Sequence, residues 1–119
     1  MMNENPDRLT DIIAERVIDT SSGPVSLVFF RPTCSGATWK CRFSISGMAG
    51  ARDIESASSG RDSLEALMLA IVAASMFFYD SSTLSEMSVF GHHEIGLLKT
   101  TEATNGDLES TFTLSAPKR

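Results

Sequence analysis

The sequence predicts an α+β fold: an antiparallel β-meander of three to five strands packed on one long apolar helix. Three observations carry this. Trp39, Cys41, Phe43 and Ile45 alternate strictly with Lys40, Arg42, Ser44 and Ser46, the period of a strand with one buried face. Ala66 to Tyr79 is a 14-residue apolar run broken only by Ser75, long enough for a core helix and too short for a spanning one, which needs roughly 20 residues. Between the apolar stretches lie clusters of Gly, Pro and Ser that mark turns.

Asn5-Pro6 opens a helical turn at most, and a first strand follows near residues 12–19. Ser21-Ser22-Gly23-Pro24 is a turn. Val25 to Arg31 is β-branched and aromatic on both parities, as in a central strand, and Pro32 ends it. Thr33 to Thr38 is expected to be a loop of a few residues leading into the strand Trp39 to Gly47. After the turn Gly47-Met48-Ala49-Gly50, the stretch Ala51 to Ala57 suits an edge strand with Ile54 inward and Arg52, Asp53 and Glu55 guarding the edge.

Asp62 and Glu65 have the spacing of a capping box, so the helix begins there. Leu64, Leu67, Met68, Ile71, Val72 and Met76 form its expected core stripe, while Ala66, Ala70, Ala73 and Ala74 allow a sheet or a second subunit to approach closely. Asp80 to Thr83 closes the helix. Leu84 to Leu98 returns across the core as irregular chain with a short strand. The expected domain is 1–98, with a loose N-terminus, and 99–119 is a polar tail with a turn at Asn105-Gly106-Asp107, able to add a last strand or to order on binding.

Two stretches, Trp39-x-Cys41-x-Phe43-x-Ile45-x-Gly47 and Gly60-x-Asp62-Ser63-Leu64-x-Ala66-Leu67, resemble a group of small bacterial proteins classed as a domain of unknown function. The resemblance runs from about Ile12 to Leu98. It implies the meander and helix and no catalytic residue.

Residues that could carry chemistry are few. His92 and Glu94 share one face of an extended segment and are candidate metal ligands, but a zinc site needs a third or fourth group, from Asp80, Glu86 or a thiol. Cys34, beside Arg31, is the candidate reactive thiol. Cys41 belongs to the apolar face of its strand, and the two cysteines could lie opposite each other in a hairpin. With no export signal at the N-terminus, reduced thiols and a cytoplasmic protein are expected. No nucleophile elbow or phosphate-cradling glycine pattern is present, and no cofactor is expected.

The net charge of −5 is unevenly spread: from Asp62 to Pro117 eight carboxylates face one base, Lys99, a balance of −7. That field repels nucleic acid and attracts basic partners. The favoured expectation is a non-catalytic protein-binding module of the immunity type, which neutralises a bacterial toxin and contacts a basic partner through Asp80, Glu86 and Glu94. An acidic homodimeric secretion chaperone and a small metal- or thiol-dependent enzyme are the alternatives.

Overall fold

The computed structural model describes residues 11–112. The expectations of a loose N-terminus with a helical turn at Asn5-Pro6, and those for the last part of the polar tail, lie outside the described residues. Nine elements follow in order: β1 (Ile12–Thr20), β2 (Gly23–Phe30), β3 (Thr33–Ser35), β4 (Thr38–Ser46), β5 (Ile54–Gly60), α1 (Ser63–Tyr79), a 3-10 turn (Leu84–Glu86), β6 (Lys99–Glu102) and β7 (Leu108–Thr111). The fold is α+β, with antiparallel sheets and a single helix.

Among the described residues five strands form the sheet that packs on the helix, and two more form a second sheet. β1 pairs with β2 across the two-residue turn Ser21-Ser22, and β4 carries β2 and β3 along one edge and β5 along the other. From Phe29 to Thr33 the chain advances four residues while β4 advances three, from Phe43 to Lys40. Arg31-Pro32 therefore interrupts one long hairpin arm, because proline has no N–H to give the ladder. The expected loop at Thr33 to Thr38 is instead a strand and a tight turn, Gly36-Ala37, with Gly36 at φ 63°. The edge strand also lies further along than Ala51 to Ala57, since Gly47 and Gly50 both take positive φ and prolong the connection to Ile54. The described part of the polar tail forms a small hairpin, β6 and β7, in a second sheet.

The sheet buries Ile18, Val25, Leu27, Phe29, Cys41, Phe43 and Ile45 against one helix face. That face consists of Ala66, Ala70, Ala74 and Phe78, spaced four apart, with Ser75. The expected large-residue stripe is thus corrected: Leu67 and Ile71 flank the core half-buried, while Leu64, Met68 and Met76 are exposed. The cause is the closeness of the layers. A Cβ built on Gly60 would stand 2.4 Å from the Ala66 nitrogen, so the first turn of α1 comes down onto β5 where only small residues fit.

The helix start has the expected cap, because the Asp62 carboxylate accepts from the Glu65 N–H at 2.8 Å. Glu65 reaches back one residue further than anticipated, accepting from the Arg61 backbone N–H at 2.8 Å and from its guanidinium at 2.7 Å. These bonds hold the Glu65 carboxyl below the usual carboxylate range and raise Arg61.

Candidate functional site

Between the 3-10 turn and β6 the chain has no helix or strand, and its two halves differ. In the second half Ile95 and Leu97 are buried. Buried backbone outside a ladder needs other partners, and side chains from two elements supply them. Arg16 of β1 donates to the Ile95 carbonyl at 2.6 Å, Tyr79 Oη donates to the Leu97 carbonyl at 2.9 Å, and the buried Ser75 Oγ accepts from the Leu98 N–H at 3.2 Å while donating to the Ile71 carbonyl.

In the first half Met87 and Val89 anchor the chain in the core, and Ser88 exchanges both backbone hydrogen bonds with Asp19 at the edge of β1, at 2.7 and 2.9 Å. Val89 and His92 then pair across Phe90-Gly91, with φ values of 51° and 81°. Both central residues lie in the left-handed region, as in a type I′ turn, where Asn-Gly is the unstrained choice. Phe90 takes the first position and is 89% exposed. It bears the cost of a left-handed backbone with little burial in return.

The sequence-derived candidates cluster only partly around this turn. His92 and His93 are exposed on its descending arm, and Glu94 follows half-buried. Glu94 lines a recess of about 310 Å³ with Tyr79, Leu97, Lys99 and Thr111, and its buried Oε1 has no hydrogen-bond partner among the described residues. Glu86 accepts from the Ser21 hydroxyl at the opening of the turn, and Asp80 caps the C-terminus of α1. No group of three or more His, Cys, Asp or Glu is placed to share a metal ion among the described residues, so nothing there completes a set with His92 and Glu94.

The thiols do not meet. Cys34 is opposite Trp39, whereas Cys41 aligns with Ser58, because the tight turn sets a register that separates the two cysteines. Both are free: Cys34 is exposed with its sulfur on the Gly36 carbonyl, and Cys41 is buried with its sulfur on the Phe30 carbonyl at 3.3 Å, burial raising its pKa. Arg31, expected to activate Cys34, pairs with Asp11 at 3.8 Å.

A second feature adjoins the clamped half. A cavity of about 370 Å³ opens between the β1 edge at 13–16, the helix side chains Leu67 and Ile71, and the chain at 96–98, with Phe29 and Phe112 also in its wall. Sequence reasoning missed this cavity and Phe90. The glycines that break this stretch, Gly91 among them, were the signal of a turn.

Among the described residues no helix is long and apolar enough to cross a membrane. One family pattern, described as a domain of unknown function (DUF6968), matches residues 14–102 and so runs into β6. No curated protein and no solved structure matches the chain.

Proposed function

The chain belongs to the DUF6968 domain family, and on that footing we propose that it is a non-catalytic protein-binding module whose contact point is the Phe90 turn. The observation that carries the proposal is a bulky aromatic held at φ 51° and 89% exposed. Strain without burial stabilises nothing in the isolated domain, whereas an exposed, preset aromatic is what a partner's apolar pocket uses as an anchor.

Glu86 and Glu94 flank the anchor along the chain, and Asp80 lies at the end of the preceding helix, so a basic partner fits best. The unpartnered Glu94 Oε1 would accept from that partner's lysine or arginine. An immunity-type role in the cytoplasm, the neutralising of a basic bacterial toxin, is the narrower form of this reading.

The test is recovery of the tagged protein from the cells that express it natively, at about 150 mM salt and at higher salt, beside a Phe90→Asn variant. A basic partner in near-equal amount that Phe90→Asn loses supports the reading. A partner that this variant retains, or no partner at all, removes it.

A homodimeric chaperone is the second reading, favoured by Leu64, Met68 and Met76 exposed at four- and eight-residue spacings on α1. Sedimentation of the wild type and of Met68→Glu decides it: a dimer that this substitution splits is required.

A further inference from the structure

We propose that the outer edge of β1 is a strand-addition site, taking an extended segment of another protein in which a basic residue is flanked by apolar ones. The edge differs from the Phe90 turn in position and in the chemistry it offers.

Among the described residues β1 forms a ladder with β2 alone, and its other side is a sheet edge met only by the Asp19–Ser88 bridge near its end. Which backbone groups point off that edge follows from Asp19, whose N–H and C=O both go outward to Ser88. Directions alternate along an antiparallel strand, so Val17 and Glu15, two and four residues earlier, turn their N–H and C=O outward too. None of these groups has a backbone partner among the described residues. They are four main-chain hydrogen-bonding groups in line, and an extended backbone satisfies all four.

The side chains specify the rest of the occupant. Ile13 and Val17 are 45% and 49% exposed, so apolar side chains stand on either side of Glu15, and the one irregularity of the strand lies at its start, between Ile12 and Ala14. On its helix side the edge runs into the 370 Å³ cavity with Phe29, Leu67, Ile71, Leu97 and Leu98 in its wall. In an added strand the residue opposite Glu15 points to the open face, beside that carboxylate, and its two neighbours point into the cavity. The chemistry required is therefore apolar, basic, apolar.

A second copy of this chain fits poorly. Antiparallel pairing of two β1 edges centred on Glu15 sets Glu15 against its counterpart, and a slip of two residues, the smallest that keeps the outward groups matched, sets Arg16 against Arg16, like charges directly opposed in either register.

The probe is a fluorescein-labelled, end-blocked peptide with Leu-Lys-Leu between flanking threonines, added to the full chain and followed by anisotropy and amide hydrogen exchange. Binding is expected with new protection at the Glu15 and Val17 amides. It should weaken about tenfold when the peptide's lysine amide is N-methylated, which removes one main-chain donor and obstructs the edge. It should weaken about fivefold with Glu15→Lys, which a glutamate-centred peptide reverses.

No binding at millimolar peptide, or binding indifferent to N-methylation, overturns the proposal. So does protection of the Glu15 and Val17 amides in the free chain, because the edge would then be closed already. Phe90→Asn is expected to leave peptide binding unchanged, so the outcome here is separable from that of the Phe90 reading.

Discussion

The chain between α1 and β6 has two halves of the same irregular character and opposite treatment. At Ile95 to Leu98 the apolar side chains point inward and three side chains, Arg16, Ser75 and Tyr79, take up the backbone groups. At Val89 to His92 the backbone is closed by its own tight turn, and the largest side chain there stands in solvent on a left-handed residue. Irregular chain is thus made rigid in one place by distant side chains and in the other by a turn that its own sequence disfavours. Local strain with no packing in return is the observation on which the proposed contact point rests.

Breaking the clamped half should have the largest effect. Ser75→Ala leaves the Leu98 N–H without its partner, and Arg16→Met does the same to the Ile95 carbonyl. Each should cost about 2 kcal/mol in urea unfolding. Both bonds hold one segment, so the double variant should depart from additivity. Additive losses would mean that the two clamps act on separate pieces of chain.

Relaxing the exposed half should move stability the other way. Phe90→Asn installs the Asn-Gly pair that a type I′ turn prefers and should gain about 1 kcal/mol.

A smaller effect separates both halves from the helix start. The Glu65 carboxyl is held below its ordinary range by Arg61, so its contribution is present above the unfolded carboxylate pKa, roughly 4.3, and is lost as pH falls through the lowered folded value. The clamps use a guanidinium and two hydroxyls and contain no carboxylate. Protection of the amides in the first turn of α1, taken relative to their intrinsic exchange rate at each pH, should therefore fall on acidification before that of Leu98, and Glu65→Gln should remove this acid step. Simultaneous loss at both places would show a single cooperative unit.

Much of the sheet was legible in sequence, because Trp39 to Gly47 alternates with period two and β1 and β2 lie near their expected places. The cap at Asp62 was legible for a similar reason: it is a local bond between residues three apart. The buried face of α1 was not. A helix apolar on all sides has no periodicity to reveal its inner face, and the choice fell to the alanines through the close approach at Gly60.

Nor could the clamps be read, since Arg16 meets Ile95 across 79 positions. The metal and thiol candidates were drawn from residue type alone; register then separated Cys34 from Cys41, and among the described residues no third group joins His92 and Glu94. Phe90 escaped notice because Phe-Gly is not a turn signature, which is also why its place in the turn carries meaning.

The most direct test is the equilibrium unfolding of Phe90→Asn beside the wild type. The account predicts a higher midpoint at unchanged slope, the strain released and nothing lost. A lower midpoint would contradict it, because Phe90 would then be contributing to the fold itself and the turn would be structural.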